Sequence, residues 1–212
     1  MSSIRTIDDL HAGYRRFRTG SFKEAQDRYR LLAEQGQQPT VMLIACCDSR
    51  ADPAMIFDAG PGELFVLRNV ANLVPPPEDD NAFHGTSAAI EFAVTGLGVQ
   101  HIVIMGHAQC GGVRAYVDGA LGNGGRNTYI NRWASLLAPA FENVPDGLDA
   151  PEAAQRLERA AIRHSLKQLN AFPFVEERVR NGSLTTHGAF FGIASGVLEW
   201  MDESDGTFNP VS

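Results

Sequence analysis

Apolar and polar residues follow one another along the chain in blocks of two kinds. Three short blocks, residues 41–46, 63–67 and 101–105, are predominantly apolar, as is typical of strands buried on both faces of a parallel sheet. The block 86–97 that precedes the third one has the composition of a helix. Strands that alternate with helices predict an α/β fold: a central, mostly parallel β-sheet with helices on both faces.

The first forty residues carry helical signals. We predict one helix over residues 8–17 and a second over 22–34, joined at Thr19 and Gly20. Ser21 precedes Glu24 by three residues, which is the spacing of a capping box at the start of the second helix.

The remainder of the chain predicts further helices and a hairpin. No internal repeat or linker divides the sequence, so we expect a single domain over residues 1–212. Within it, residues 1–38 form an N-terminal helical arm, and residues 39–212 form the α/β core with C-terminal helices and strands. The elements predicted outside the three apolar blocks are helices over 52–59, 131–140, 151–169 and 173–180, a glycine-rich loop over 119–125, and strands over 185–193 and 197–201 that pair as a hairpin.

The charge balance removes several classes of partner. Eighteen Lys and Arg residues against 25 Asp and Glu residues give a net charge of −7, which provides no broad cationic surface for nucleic acid. No apolar run is long enough to span a bilayer, and the N-terminus lacks the apolar segment of a signal peptide, so we expect no membrane partner and a cytoplasmic location. The three cysteines are then interpreted as reduced thiols.

Candidate chemistry follows the first apolar block. Ligand sites of open α/β sheets lie beyond the carboxyl ends of the strands, and Cys46, Asp48 and Arg50 stand at one such end. If this segment stays extended, the three side chains point to one side and share a cleft. Cys47 then points away from the cleft, and we interpret it as a packing residue.

A second set of reactive residues follows the third apolar block. His107 and Cys110 lie three residues apart on a turn that leads into a predicted helix, close enough to bind one ion. Together with Cys46 they form a Cys₂His set, which is a zinc site with three protein ligands and a fourth position open to water or substrate.

These motifs resemble those of the β-class carbonic anhydrases. The resemblance rests on Cys46-x-Asp48-Ser49-Arg50, on Gly106-His107-x-x-Cys110-Gly111-Gly112, and on the segments 61–74 and 85–94 between them. It implies one zinc ion per chain, bound by Cys46, His107 and Cys110. The implied reaction is the reversible hydration of carbon dioxide to bicarbonate and a proton, by attack of a zinc-bound hydroxide.

The resemblance also implies roles for Asp48 and Arg50. In active members of the family, the arginine holds the aspartate off the metal, and the aspartate accepts a hydrogen bond from the zinc-bound hydroxide and orients it. In the inactive form of some members, the aspartate occupies the fourth zinc position. Members regulated by bicarbonate have Trp where this chain has Leu43, although Arg68 of that regulatory pocket is present, so we expect an unregulated enzyme with an open site.

A substrate pocket at a subunit boundary is implied as well, with the N-terminal arm wrapped around a neighbouring subunit of a homodimer or homotetramer. Gln37 is expected to donate a hydrogen bond to the substrate oxygen, and many relatives have Tyr at the position of Phe92. The residues expected to contact substrate are Gln37, Phe65, Val70, Phe92 and Gly111.

Other functions are compatible with the same residues. A related zinc hydrolase would act on carbonyl sulfide or carbon disulfide, and a non-catalytic zinc-stabilised binding or sensor module would need the ligands but not Asp48. A redox function of Cys46 and Cys47 is disfavoured because vicinal cysteines form strained disulfides. No histidine is assigned as a proton shuttle; His84 is the nearest to the motifs.

Overall fold

The structure, a computed structural model, describes residues 4–78, 84–120 and 129–212. Its centre is a six-stranded sheet with the strand order β2-β1-β3-β4-β5-β6. The first four strands of the chain run parallel, while β5 pairs antiparallel with both β4 and β6. The strands are β1 (Val41–Cys46), β2 (Leu64–Asn69), β3 (His101–His107), β4 (Thr185–Phe191), β5 (Leu198–Met201) and β6 (Phe208–Pro210).

Ten α-helices are present in the described part of the chain, and none of them is long and apolar enough to cross a membrane. The first three form the N-terminal arm, and the longest packs on β3 and β4. The helices are α1 (Ile7–Thr19), α2 (Ser21–Glu24), α3 (Gln26–Gln35), α4 (Pro53–Ile56), α5 (Gly85–Glu91), α6 (Gly111–Ala120), α7 (Tyr129–Ala134), α8 (Ala138–Phe141), α9 (Ala150–Asn170) and α10 (Pro173–Arg180).

The pairing register brings the carboxyl ends of the central strands together. Strand β1 lies between β2 and β3, with Cys46 opposite Asn69 and Ala45 opposite Met105. Because parallel strands all end at the same edge of a sheet, Cys46 and His107, the last residues of β1 and β3, lie at one edge. This is the edge at which open α/β sheets bind their ligands.

Both faces of the central strands are buried, which explains their continuous apolar sequences. On one face, Ile44 and Ile104 pack in a cluster with Ile162 of α9. On the other face, a smaller cluster around Leu43 and Met105 includes residues of α4, β4 and β5.

Two glycines allow α9 to approach the sheet closely. A Cβ added at Gly106 of β3 would lie 2.9 Å from Ile162 Cγ1, and one added at Gly188 of β4 would lie 3.1 Å from Ile162 Cγ2. Since Ile162 is fully buried, it has little room to move away. The two glycines therefore form the groove that seats this side chain.

The predicted fold class is confirmed, and most predicted elements are present with shifted ends. The capping box predicted at Ser21 is wrong: the capping box lies one helix earlier, between Thr6 and Asp9, and Ser21 makes no such cap. The second predicted helix is also interrupted, because Ala25 separates α2 from α3.

Three further predictions differ from the structure. Strand β2 is an edge strand and only partly buried, with Val66 39% exposed, so the prediction of burial on both faces is wrong there. The predicted helix 86–97 changes at Phe92 from α-helix to a wider π-helical turn. Strand β6 was not predicted, and most of the predicted loop 119–125 lies outside the described residues.

Substituting Gly106 tests the groove that seats Ile162. We expect Gly106→Ala to lower the free energy of unfolding by about 1–3 kcal/mol, because the added methyl group overpacks the contact between β3 and α9. Thermal unfolding followed by circular dichroism measures the change. Gly119→Ala is the matched control: this exposed glycine of α6 has no atom within 4 Å of the added Cβ, so stability should stay equal or rise. Equal stability of both variants would contradict the inference.

Candidate metal centre

Three buried side chains from two neighbouring strands converge at the carboxyl edge of the sheet. Cys46 ends β1, His107 ends β3, and Cys110 follows three residues later, at the start of α6. One potential ligand atom from each residue lies within 4.8 Å of the corresponding atoms of the other two. The structure therefore brings together the three residues that the sequence predicts as metal ligands.

The donor set fits a tetrahedral zinc ion. The two Sγ atoms are 3.9 Å apart, too far for a disulfide, whereas two Zn–S bonds of usual length at the tetrahedral angle place their sulfurs about 3.8 Å apart. His107 Nδ1 donates to the carbonyl of Ala108 at 2.9 Å, which leaves Nε2 as the atom with a free lone pair. Nε2 is buried and has no hydrogen-bond partner among the described residues, as expected of a metal ligand.

The two thiols cannot ionise equally without a cation. The hydrogen bond from the Cys110 thiol lowers the pKa of Cys46, and backbone N–H groups of Asp48 and Ala71 act in the same direction. The same contact, together with burial, raises the pKa of Cys110. One thiolate is thus stable on its own, while a second requires the positive charge of a metal ion.

The local backbone directs N–H groups at both sulfurs. Ala71, after β2, has the left-handed conformation (φ 63°), and its N–H donates to Cys46 Sγ at 3.4 Å. Gln109 is also left-handed (φ 57°), in the turn between β3 and α6. Cys110 then precedes the first turn of α6, where the N–H groups of Gly112 and Val113 stabilise its thiolate.

Asp48 and Arg50 form a bidentate ion pair beside these ligands. Arg50 Nε donates to Asp48 Oδ1 at 2.9 Å, and Arg50 Nη2 donates to Asp48 Oδ2 at 2.7 Å. This pairing holds the pKa of the Asp48 carboxyl well below its usual range. Asp48 Oδ2 lies 3.9 Å from His107 Nε2, and Arg50 Nη2 also donates to the carbonyl of Gln109 at 3.1 Å.

The expected extension of this segment is wrong, although the expected convergence is present. Strand β1 ends at Cys46, and a turn closed by the Ala51 N–H and the Asp48 carbonyl follows. Asp48 is the first residue of this turn, and Cys47 before it still donates its N–H to the Asn69 carbonyl of β2 at 2.9 Å. The prediction that Cys47 is a packing residue is wrong as well: its side chain is exposed and lines a surface cavity with Val70 and Trp133.

The predicted substrate residues do not all lie next to the three ligands. Val70 precedes Ala71 and contacts the start of α6 near Gly111. The rings of Phe65 and Phe92 contact each other with their centroids 5.9 Å apart, and Phe92 is 52% exposed. Gln37 is exposed in the connection between α3 and β1. Among the described residues, no recorded contact joins Gln37 or Phe92 to the three ligands.

Two further residues brace the ligand segments. Arg68 of β2 donates to the carbonyls of Cys46 at 2.9 Å and Asp48 at 2.7 Å, and it pairs with Asp52 at 2.7 Å. Glu158 of α9 is 5% exposed and accepts a hydrogen bond at 3.0 Å from the backbone N–H of Cys110. Burial raises the pKa of Glu158.

Glu158 was not predicted from the sequence, whereas for Arg68 a structural role in the core or at an interface was the preferred interpretation over a regulatory one, and its contacts agree with that role. The available signal for Glu158 is its position in the apolar stripe of α9, next to Leu157 and three residues before Ala161, where a carboxylate is buried only with a partner. Leu43, where regulated members have Trp, is a core residue of β1.

Comparisons with known proteins agree with this site. The family model described as carbonic anhydrase matches residues 41–198. The chain is 35% identical over 196 residues to β carbonic anhydrase 5, chloroplastic, of Arabidopsis thaliana, covering 91% of this chain and 64% of that protein.

Two solved structures show the same fold. The β-carbonic anhydrase CcaA superposes with a TM-score of 0.87 at 27% identity, covering 97% of this chain and 92% of that one. One of two tetrameric β-carbonic anhydrases from Sordaria macrospora superposes with a TM-score of 0.76 at 29% identity, covering 91% and 96%. The matched segment includes both ligand-bearing strands and the ion pair beside them, and the chain therefore belongs to the β class of the carbonic anhydrase family.

Proposed function

We propose that this chain is a zinc-dependent carbonic anhydrase, which hydrates carbon dioxide reversibly to bicarbonate and a proton. The observation that carries the proposal is the buried Cys46, His107 and Cys110 set with the Asp48–Arg50 ion pair beside it. The names of the relatives support it. When bound, zinc supplies a Lewis acid that brings the pKa of a coordinated water towards 7.

Asp48 is proposed as the residue that orients the nucleophile. It does not belong to the set of three converging ligand atoms, so it leaves one coordination position open to solvent or substrate. Its low pKa keeps it ionised at neutral pH, and an ionised carboxylate is only an acceptor of hydrogen bonds. By accepting a hydrogen bond from the hydroxide, Asp48 would turn a lone pair of that oxygen towards the substrate carbon.

Arg50 is proposed to fix Asp48 in that role. Its two parallel N–H donors each bind one oxygen of the carboxylate. The third contact, to the Gln109 carbonyl, ties this pair to the turn that carries Cys110. The carboxylate is therefore positioned before substrate arrives, which is how an active site avoids reorganisation during the reaction.

The substrate is small, neutral and apolar, and the proposed pocket matches it. Val70 with the Phe65 and Phe92 rings provides an apolar wall, and Gly111 offers a backbone N–H at the start of α6. Gln37 is proposed as the donor to a substrate oxygen. Because Gln37 and Phe92 are exposed in the single chain, we propose that they complete the pocket of a neighbouring subunit.

The N-terminal arm supports self-association. Helix α1 buries none of its residues in the single chain, yet Ile7, Leu10 and Tyr14 form an apolar stripe that is at least half exposed. The solved Sordaria macrospora relatives are described as tetrameric. We propose that this stripe packs on a second copy of the chain in a homodimer or homotetramer.

Asp48→Asn tests the proposed reaction. We expect zinc content and fold to be retained, while carbon dioxide hydration falls by about 100-fold or more, because an amide cannot orient the nucleophile as an ionised acceptor does. Stopped-flow hydration assays and metal analysis measure the two properties. Asp58→Asn, an exposed residue of the loop after α4, is the matched control and should hydrate carbon dioxide at the wild-type rate.

Two outcomes would contradict the proposed reaction. Full hydration activity of Asp48→Asn would show that the carboxylate does not orient the nucleophile. Negligible hydration of carbon dioxide by the zinc-loaded wild type, with turnover of carbonyl sulfide or carbon disulfide in the same assay, would assign the site to the related hydrolases.

Glu158→Gln tests the brace behind Cys110. We expect zinc affinity to weaken by about 10-fold, because the amide replaces one of two acceptor oxygens beside the backbone N–H groups of Gln109 and Cys110. Competition with a chromophoric chelator measures the affinity. Glu152→Gln on the exposed first turn of the same helix is the control. Equal zinc affinity in both variants would show that Glu158 is not a positioning residue.

Replacing Leu10 and Tyr14 together by Gln tests the arm. We expect the subunit dissociation constant to rise by at least about tenfold, since two apolar contacts of the stripe are lost. Sedimentation velocity over a concentration series measures it. The matched control replaces Arg15 and Arg16, exposed residues of the same helix, by Gln. If the subunit dissociation constant rises only in the control, or in neither variant, the subunit interface does not include the apolar stripe.

A further inference from the structure

A pair of histidines lies near the end of strand β3 that is opposite His107. His101 is the first residue of β3 and is paired in register with Thr185, while His187 lies two residues further along β4. Because side chains alternate along each strand, these three residues share one face of the sheet. His101 and His107 are six residue steps apart along β3, a distance of about 20 Å, so the pair is distinct from the candidate zinc centre.

The two imidazole rings turn ring nitrogens towards each other. His101 Nδ1 and His187 Nε2 are 3.4 Å apart. The hydroxyl of Thr185 lies beside both atoms, 2.6 Å from His101 Nδ1 and 3.0 Å from His187 Nε2. Three atoms that can bind a cation therefore converge on one point at the surface of the sheet.

We propose that His101 Nδ1 and His187 Nε2 bind a divalent transition-metal ion, with Zn²⁺ as the best fit. Two Zn–N bonds of usual length at the tetrahedral angle separate their nitrogens by about 3.3 Å, close to the distance in the structure. Thr185 Oγ1 is placed as a neighbouring oxygen, and water supplies the remaining ligands. Imidazole nitrogens suit Zn²⁺, Cu²⁺ and Ni²⁺ and exclude Ca²⁺ and Mg²⁺, which prefer oxygen.

The surroundings of His187 are those of a metal-binding imidazole. Its other nitrogen, Nδ1, lies 3.1 Å from Glu203 Oε1, so a carboxylate fixes the ring and leaves Nε2 for the ion. The ring of Trp200 packs beside it, with the ring centroids 5.5 Å apart. Burial lowers the pKa of His187, which favours the neutral imidazole that metals require.

The site is accessible and only partly enclosed. His101, Thr185 and Glu203 are exposed, so an ion reaches them without any opening of the fold. Two protein nitrogens hold an ion less firmly than the three buried ligands of Cys46, His107 and Cys110. We therefore expect this ion to exchange freely and to be lost on dialysis, while the buried ion is retained.

Calorimetric titration of zinc-loaded protein without an affinity tag tests the proposal, with Zn²⁺ as the added ligand. The wild type should bind one further ion per chain. His101→Ala and His187→Ala should each weaken this binding by at least about tenfold, and Glu203→Gln should weaken it by about tenfold through the released ring of His187. Metal analysis after dialysis should return one ion per chain in every protein.

The control is His164→Ala, which removes a half-buried histidine of α9 that contacts Gln168 and should leave the second ion unaffected. Thermal unfolding without added zinc shows that each variant is folded; His101 is exposed, so its replacement spares the core. A wild type that binds no further ion would overturn the proposal. So would a further ion that binds His101→Ala and His187→Ala as tightly as it binds the wild type.

Discussion

The parallel pairing of β1 with β3 is the constraint on which the rest of the structure depends. It brings the last residue of each strand, Cys46 and His107, to one edge of the sheet, and the tight turn after β3 adds Cys110. The contacts that neighbouring elements make with these strands stabilise that register. Ile162 of α9 fits between glycines of β3 and β4, and Arg68 of β2 holds the carbonyls of Cys46 and Asp48. Displacement of either strand by one residue would separate the ligands.

Two sulfurs 3.9 Å apart in a buried site repel each other when both are ionised, and the backbone reduces that cost. Left-handed Ala71 directs its N–H at Cys46, and the first turn of α6 directs N–H groups at Cys110. An alanine with positive φ is strained by about 1–2 kcal/mol, and Ala71 carries this strain directly beside Cys46. The site is thus organised by dipoles that belong to the chain itself before a cation neutralises the thiolates.

The order of strands and helices could be predicted from the sequence because continuous apolar runs such as β1 and β3 have few alternatives to a buried parallel strand. The ligands could be predicted because the carboxyl ends of such strands meet. The turn from Asp48 to Ala51 could not be predicted, and neither could the exposure of Cys47, which directly follows the buried Cys46. Glu158 could be noticed as a carboxylate in the apolar stripe of α9, but its contact could not be predicted, because its partner is a backbone N–H 48 residues away.

Charge balance explains why an arginine stands so close to a cation site. With two thiolates and a neutral imidazole, a divalent zinc ion gives a centre of zero net charge. Asp48 alone would make the surroundings negative, and in the proposed reaction this charge would oppose the approach of bicarbonate. The bidentate Arg50 cancels that charge while leaving the carboxylate oriented. A neutral site neither attracts nor traps an anion, which suits the proposed conversion between a neutral gas and an anion. Arg50 therefore contributes to the net charge of the site through its pair with Asp48 and not through contact with the ligand atoms.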